Sequence, residues 1–443
     1  MIDVDVAMSE LPAIAAAAKM LKARKLSCVE LVELVLARIE RLERQVHAWV
    51  RVDAKGARRA ARAADAALCA GRWRGPLHGI PLGIKDIIDV AGWPTEAGSK
   101  LRTGRIASDD APVVRRLREA GAILLGKTAT CEFACFDPSP ARNPWNLDRT
   151  PGGSSSGSAA AVAAGMCLGA LGTQTGGSIA RPASYCGVAG CKPTFGLVDR
   201  RGIVPVSEHL DHVGPIARTV EDLQILLSAM AGWSDQAGPI FDRTPRLAVV
   251  RAELFERAEP SVAGAFAGAV SRLRAAGATV DEMRLPCDFD SILRWHRAIM
   301  AVEAAAVHAE AFRARRDQFG PQLTTLLDEG LATPRAAYEE ALTAQSRLAA
   351  ESLRWIPADT VLLTPATVDT APDLSTTGRP WFNSPWSFLG LPTVSLPCGL
   401  AENDLPVAVQ LIGRAWGECE LLAAAGWCER AFGFAAQPPL GFG

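Results

Sequence analysis

Two serine- and glycine-rich stretches set the strongest limits on the fold of this chain. Residues 152–158 read Gly-Gly-Ser-Ser-Ser-Gly-Ser, and residues 172–178 read Gly-Thr-Gln-Thr-Gly-Gly-Ser. The Ala- and Gly-rich run between them, 159–170, predicts a tightly packed helix. Glycine lets the backbone approach a neighbour closely, and in such a turn a serine hydroxyl is exposed while adjacent N–H groups can converge on an anion. Together the two turns predict a nucleophile beside an oxyanion hole.

A lysine in an apolar segment is the third candidate group. Residues 80–90 read Ile-Pro-Leu-Gly-Ile-Lys-Asp-Ile-Ile-Asp-Val and predict a largely buried strand with Lys85 in its middle. Burial disfavours the charged form of lysine, so a buried lysine at this position would be unusual. In the alternative interpretation the side chain reaches solvent from an exposed face of the strand. The residues are compatible with both interpretations.

Composition argues against several classes of function. The 443 residues are 49% hydrophobic and 21% charged, enough to bury one large core or two smaller ones. A net charge of −1 gives no general attraction to nucleic acid or to an anionic membrane. No apolar run approaches the ~18 residues of a membrane helix, and the acidic start, Met-Ile-Asp-Val-Asp, argues against a signal or transit peptide. We expect a cytoplasmic protein without nucleic-acid or membrane partners.

The cysteine pattern favours reduced thiols rather than disulfides or a metal site. Eleven cysteines are scattered along the chain without paired short spacings. The closest pairs, Cys131 with Cys135 and Cys186 with Cys191, lack the two-residue gap and the partnering histidine of a zinc site. We therefore predict no metal site; separately, we expect no cofactor.

The predicted strands and helices alternate along the chain, which indicates an α/β layer architecture. Ser27 and Glu30 have the spacing of a capping box and predict a helix that ends near Leu42. We expect one domain over residues 1–443, with a Gly-, Pro- and Asp-rich link at 232–245. Its parts are N-terminal helices in 1–78, a catalytic core in 79–232, and a second half in 246–432 that completes the sheet and the substrate pocket.

One motif suggests a different function. Residues 121–128 match the phosphate-loop pattern G-x-x-x-x-G-K-T. In a working phosphate loop a strand precedes the first glycine, and the intervening residues turn their N–H groups to phosphate. Here a charged helix, 115–119, precedes the motif, and Ala-Ile-Leu-Leu at 122–125 is itself the predicted strand. Nucleotide binding stays as a remote alternative.

Several separated motifs, taken together, resemble the amidase signature enzymes. The likeness spans about residues 10–432 and is densest over 79–222. The motifs are residues 79–86, 151–155, 172–178, 191–196, 211–219 and 405–413. The resemblance implies a single domain with a mixed, mostly parallel twisted sheet covered by helices on both faces. It also implies hydrolysis of a small amide through an acyl-enzyme.

The resemblance assigns roles to individual residues. It makes Ser178 the nucleophile, Ser154 the bridging serine after a cis peptide bond, Lys85 the base, and Ser155 a supporting group that orients Lys85. A serine nucleophile needs a base, and a hydroxyl can relay a proton because it donates and accepts at once. The expected oxyanion hole consists of the backbone N–H groups of Thr175, Gly176, Gly177 and Ser178.

Two departures from the common family pattern concern the substrate. The pattern has an acid four residues before the nucleophile and an arginine two after it, whereas this chain has Gln174 and Ala180 there, and Arg181 one residue later. This arrangement is similar to malonamidase-type enzymes, whose substrates are small amides carrying a carboxylate. We predict that Arg181 and Gln174 bind substrate; the alternative for Arg181 is an ion pair in the core. The expected pocket walls are 367–386 and helices within 289–355.

The same triad also serves amidotransferase A subunits, which pass ammonia to a partner and act on charged tRNA. Such subunits are usually somewhat longer, and the neutral net charge here offers no basic surface for tRNA. We therefore expect a small-molecule hydrolase and keep the amidotransferase subunit as the main alternative. A homodimer is expected only as the commonest state of soluble enzymes.

Overall fold

A computed structural model of the chain describes residues 11–233 and 244–440. Within them, eleven strands form one continuous sheet. The strands are β1 (Trp49–Val52), β2 (Pro81–Lys85), β3 (Ile123–Thr128), β4 (Gly169–Gln174), β5 (Ala189–Lys192), β6 (His212–Ala217), β7 (Arg246–Val250), β8 (Thr279–Met283), β9 (Thr360–Pro365), β10 (Thr393–Leu400) and β11 (Pro406–Ile412). Their order across the sheet is β1-β3-β2-β4-β6-β5-β10-β11-β9-β7-β8.

The same residues contain fourteen α-helices and three short 3-10 segments. The helices are α1 (Ile14–Lys22), α2 (Cys28–Val46), α3 (Ala54–Cys69), α4 (Pro112–Glu119), α5 (Ser156–Ala163), α6 (Ala180–Tyr185), α7 (Val220–Ala231), α8 (Glu253–Glu256), α9 (Pro260–Ala275), α10 (Phe289–Arg315), α11 (Pro321–Ala332), α12 (Arg335–Trp355), α13 (Ser384–Phe388) and α14 (Glu418–Phe432). The 3-10 segments are Lys100–Arg102, Glu132–Ala134 and Arg316–Gln318.

The sheet is mixed in its strand directions. β2 pairs in parallel with β3 and β4, and β7 pairs in parallel with β8 and β9. The other six pairings among the described strands are antiparallel. The α/β class and the mixed sheet are thus confirmed, but the expectation that most strands run parallel is wrong. One reason is the short connection 401–405 between β10 and β11, because a link of this length returns the chain antiparallel.

Both faces of the sheet are covered. Successive residues of a strand point to opposite faces, and every residue of β2, β3, β4, β6 and β11 is buried. The edge strand β8 differs, since only one of its five residues is buried. The neighbouring strands β2 and β4, which carry the candidate site residues, therefore lie in a dry and rigid part of the molecule.

Two helices show how local sequence signals set helix ends. The predicted capping box opens α2, with the Glu30 N–H donating to Ser27 Oγ at 3.1 Å and the Ser27 N–H donating to Glu30 Oε2 at 2.8 Å. The predicted helix over 159–170 is wrong in its bounds, because α5 ends at Ala163. Gly165 then takes a left-handed conformation with φ +66°, which glycine adopts readily and which stops the helix before β4.

Most of the phosphate-loop motif, residues 121–128, lies in a buried strand. Residues 123–128 form β3, and all six are buried. Lys127 Nζ lies 2.8 Å from Asp86 Oδ1, and both side chains are 1% exposed. The same ammonium donates to Pro94 O and to Thr95 Oγ1, both at 3.0 Å. This segment is a buried strand, and its lysine is already paired with Asp86. It cannot bind phosphate as a phosphate loop does, so the structural basis of the nucleotide-binding alternative is wrong.

Some predicted features fall outside the described residues. These are residues 1–10 of the N-terminal segment, residues 234–243 of the link, and the last three residues, 441–443. Among the helices that are described, none is long and apolar enough to cross a membrane.

Candidate active site

Lys85 ends β2 and is completely buried. Its Nζ lies within hydrogen-bond distance of three hydroxyls, at 2.8 Å from Ser154 Oγ, 3.1 Å from Ser155 Oγ and 2.7 Å from Thr173 Oγ1. Burial lowers the pKa of Lys85 to about 7, because the charged ammonium is poorly solvated there. Of the two interpretations of this lysine, the buried one is therefore correct.

Ser155 connects Lys85 to the backbone of β4. Its Oγ donates to Thr173 O at 3.2 Å and accepts from the Thr173 N–H at 3.2 Å. A hydroxyl has a single hydrogen to donate. Because that hydrogen is directed to the backbone of β4, Ser155 can only accept from Lys85. Ser154, one residue earlier, follows the cis peptide bond Gly153–Ser154 that the sequence resemblance implies.

Ser178 lies in the turn between β4 and α6 and is partly exposed. Together with Ser154 it lines a cavity of about 350 Å³. Within the described residues, the Ser178 hydroxyl makes no hydrogen bond, so it is free to meet a ligand. The turn is held close to the rest of the cluster, since the Ser155 N–H donates to Ser178 O at 3.3 Å.

The backbone of this turn has the arrangement expected of an oxyanion hole. His296 Nε2 donates to Thr175 O at 3.0 Å, and Ser387 Oγ donates to Gly176 O at 2.8 Å. In a trans peptide the next N–H points away from the carbonyl. The N–H groups of Gly176 and Gly177 are therefore directed away from these two anchors. In the described part of the chain they, like the Ser178 N–H, have no acceptor.

Glycine is required at position 177 by a close approach. A Cβ built there would lie 2.6 Å from Asn383 Oδ1. The segment that carries Asn383 is thus packed directly against the turn that carries Ser178. Any larger residue would push the turn and its N–H groups out of position.

Arg181 is the second residue of α6 and lines the same cavity while being 3% exposed. Its Nη2 donates to Gly153 O at 2.7 Å and to Thr377 Oγ1 at 3.4 Å, whereas Nε and Nη1 have no partner. Burial lowers the pKa of Arg181. No acidic side chain of the described residues forms an ion pair with it, so the predicted core ion pair is not formed there. An unpaired buried guanidinium on a cavity wall is suited to bind an anion.

Gln174 has a different position from the one expected. Its Oε1 accepts from the N–H groups of Ile179 and Ala180 at 2.9 and 3.0 Å, and its Nε2 donates to Ser387 Oγ at 3.1 Å. The side chain is buried and does not line the cavity of Ser178. The expectation that Gln174 binds substrate is therefore corrected. Both ends of its side-chain amide are engaged in contacts that hold the start of α6, so the amide is not open to substrate.

Comparison with known proteins agrees with this geometry. The family model described as Amidase matches residues 30–422. The chain belongs to the amidase family. The A subunit of glutamyl-tRNA(Gln) amidotransferase from Roseiflexus castenholzii is 37% identical over an alignment of 461 residues, which covers 92% of this chain and 93% of that protein. AmiD of Mycobacterium tuberculosis, provisionally named an amidase, is 35% identical over 450 residues, covering 95% and 94%.

A solved structure of an amidase extends the likeness to three dimensions. It superposes with a TM-score of 0.87 at 34% identity and covers 95% of this chain and 99% of the other. The amidase signature motifs identified in the sequence thus belong to a complete amidase-family fold. Since the relatives include an amidotransferase subunit, membership establishes an amidase-family enzyme and leaves its substrate open.

This amidase-family site also contains residues that the sequence did not reveal. Thr173 Oγ1 is 2.7 Å from Lys85 Nζ, and His296 anchors the turn that carries Ser178. Burial lowers the pKa of His296 to about 4, so the ring is neutral near pH 7. A third group is Asp211, which accepts from Thr175 Oγ1 at 2.6 Å. Thr173 and Asp211 carried a signal, because each lies in one of the family-like motifs, whereas His296 lies only in the broad range 289–355 expected to wall the pocket.

The cavity walls agree in part with the expected ones. The segment after β9 contributes Thr377, Pro380, Trp381 and Ser384, and helix α10 contributes Leu293, His296, Arg297 and Met300. Helix α12 contributes no residue to this cavity. A wall that was not expected is formed by residues 134–136, next to the 3-10 segment Glu132–Ala134.

Proposed function

We propose that this amidase-family protein hydrolyses small amides that carry a carboxylate, through an acyl-enzyme on Ser178. The observation that supports the carboxylate most strongly is the unpaired, buried Arg181 guanidinium on the wall of the cavity that Ser178 also lines. Water provides the second nucleophile, and the proposed reaction needs no cofactor. The cytoplasmic location and the homodimer stay predictions.

Lys85 is the proposed base. A neutral amine has two N–H groups and one lone pair. Ser155 can only accept, so one N–H of Lys85 is directed to it. Of the two remaining hydroxyls, Ser154 lines the cavity with Ser178. We therefore assign the second N–H to Thr173 and the lone pair to Ser154. With a pKa of about 7, a large fraction of Lys85 is neutral at neutral pH.

The proposed chemistry proceeds in two halves. Ser178 Oγ attacks the amide carbon while its proton passes through Ser154 to Lys85. The N–H groups of Thr175, Gly176, Gly177 and Ser178 bind the oxyanion; loss of one such donor typically costs ~3–4 kcal/mol of barrier lowering. The proton then returns to the leaving nitrogen, and the C–N bond breaks. Water repeats the sequence on the ester, which releases the acid and restores Ser178.

Arg181 is proposed to bind the carboxylate of the substrate. Its Nη2 is engaged by Gly153 O, which fixes the plane of the guanidinium, and Nε and Nη1 remain without partners. A buried cation without a counter-charge is unfavourable. A substrate carboxylate would supply that charge and could accept charge-assisted hydrogen bonds. We further propose that Gln174 positions the turn and does not touch substrate.

The likeness to an amidotransferase A subunit supports one alternative, in which the chain produces ammonia for a partner. The two functions differ in what the isolated chain does. We expect the purified chain alone to release ammonia from succinamic acid with steady turnover. Hydrolysis that requires an added protein or tRNA would favour the amidotransferase function instead.

A further inference from the structure

We infer that the preferred substrates are N-aryl monoamides of short dicarboxylic acids, with succinanilic acid as the probe. Their carboxylate would bind to Arg181, and their aryl group would pack against Phe136 and Trp381. This inference rests on the proposed function and names the amine half of the substrate, which that proposal leaves open.

The segment 377–381 shows a gradient from a polar interior to an aromatic rim. Thr377 is buried and accepts from Arg181 Nη2, whereas Trp381, four residues later, is 37% exposed and still lines the cavity. The Arg379 guanidinium lies 5.1 Å from the Trp381 ring centroid. This contact covers part of the indole and restrains it. A large aromatic surface is therefore held at the mouth of a cavity whose interior end is cationic.

The wall formed by residues 134–136 contributes a second aromatic side chain, Phe136, and is held by its surroundings. Phe133, Ala134 and Phe136 have φ values of +46°, +61° and +31°, a region that L-residues rarely adopt. Such conformations persist where the surrounding structure enforces them and cluster at ligand sites. Arg297 lies 5.2 Å from the Phe136 ring centroid and is paired with Glu329 at 2.6 Å. The charge of Arg297 is thus already paired.

The distance along the chain between Ser178 and Arg181 limits the acid half of the substrate. The two residues are three apart at the start of α6, and the Arg181 N–H donates to Gly177 O at 2.9 Å. This short separation along the chain favours an acid half with only a few bonds between the reacting carbonyl and the carboxylate. The whole cavity has a volume of about 350 Å³, and its lining also includes Leu293, Met300 and the aromatic side chains of Phe136 and Trp381. A primary amide would leave this apolar part without a contact, whereas an aryl amine fills it.

The balanced reaction is the hydrolysis of succinanilic acid to succinate and aniline. Ser178 Oγ forms a bond to the amide carbon, the C–N bond breaks, and the Ser178 proton reaches the aniline nitrogen through Ser154 and Lys85. Water then adds to the succinyl ester. The C–O bond to Ser178 breaks, and the proton of the water returns to Ser178. No oxidant or reductant takes part.

The test measures kcat/KM for succinanilic acid and for succinamic acid by chromatographic detection of aniline and ammonia. Trp381→Ala should lower the value for succinanilic acid about tenfold or more, the range for losing an apolar contact in a pocket, and should change that for succinamic acid less than about threefold. Trp381→Phe should restore most of the loss. Trp416→Ala is the matched control, since Trp416 is 66% exposed and does not line the cavity.

Comparing each variant with wild type cancels the different intrinsic reactivity of the two amides. An equal loss for both substrates in Trp381→Ala, or no rescue by phenylalanine, would overturn the aryl assignment. Steady turnover of succinamic acid but not of succinanilic acid by the wild type would overturn it as well. If the wild type hydrolyses neither acid, the proposed function itself fails, which is a different result.

Discussion

Replacing Lys85 by methionine should change how the stability of the protein depends on pH. The pKa of Lys85 falls from 10.5 to about 7 on folding because of burial. Between pH 7 and 10.5, Lys85 therefore binds fewer protons in the folded protein than in the unfolded chain. For this reason the free energy of unfolding of the wild type rises with pH over this range. The full shift corresponds to about 5 kcal/mol, at ~1.4 kcal/mol for each pH unit. Lys85→Met lacks this titrating group. Its free energy of unfolding should therefore exceed that of the wild type by the largest amount at pH 7 and below.

The assay is urea denaturation of both proteins at several values between pH 6 and 9.5. Loss of the contacts to Ser154, Ser155 and Thr173 adds an offset to the variant, but this offset is the same at every pH. Titrating groups that do not interact with Lys85 are shared by the two proteins and cancel in the difference. Lys25→Met, which removes an exposed lysine from the surface, serves as the control.

A difference between wild type and Lys85→Met that stays flat from pH 6 to 9.5 would refute the reasoning. It would mean that Lys85 keeps its ordinary affinity for the proton in the folded protein. The lysine would then be charged at neutral pH and could not serve as the base.

Three further predictions concern neighbouring residues. Thr173→Val removes one hydrogen-bond acceptor from Lys85 and so disfavours its ammonium form. The apparent pKa of the acid limb of the kcat/KM–pH profile should fall by about one unit, and the maximal kcat/KM should also fall. Arg181→Lys keeps the positive charge but loses the planar guanidinium with its paired donors. The loss in kcat/KM for succinamic acid should correspond to about 1.5–3 kcal/mol, whereas kcat/KM for butyramide should not fall. Equal losses for the two amides would mean that Arg181 has a structural role. Lys127→Met leaves Asp86 buried and unpaired, and chemical denaturation should show a loss of about 3–5 kcal/mol, part of which Asp86→Asn should restore.

Local patterns in the sequence predicted much of this site. The two glycine-rich turns, the strand that carries Lys85 and the capping box at Ser27 each depend on residues a few positions apart, so a single segment contains the whole signal. The misplaced helix over 159–170 has the same kind of cause. Its alanines favour a helix, but Gly165 in a left-handed conformation ends it.

Contacts between distant segments could not be read in this way. His296 anchors Thr175 across 121 residues of the chain, and Arg181 contacts Thr377 across 196. The unpaired state of Arg181 depends on every acidic residue that could have approached it. Strand direction is also non-local, because the pair β10–β11 lies between β5 and β9, which come from different halves of the chain. Motif matching therefore located the proposed reacting groups and Arg181, but not the partners of Arg181 or the residues that anchor the turn.

The central claim is that Ser178 carries the acyl group, and mass spectrometry of quenched reactions tests it most directly. Wild-type protein mixed with succinamic acid and quenched in acid during turnover should gain the mass of one succinyl group. Fragmentation of the peptide should locate the adduct on Ser178, and Ser178→Ala should show neither adduct nor turnover. An adduct on another residue, or ammonia release by Ser178→Ala at the wild-type rate, would contradict the account.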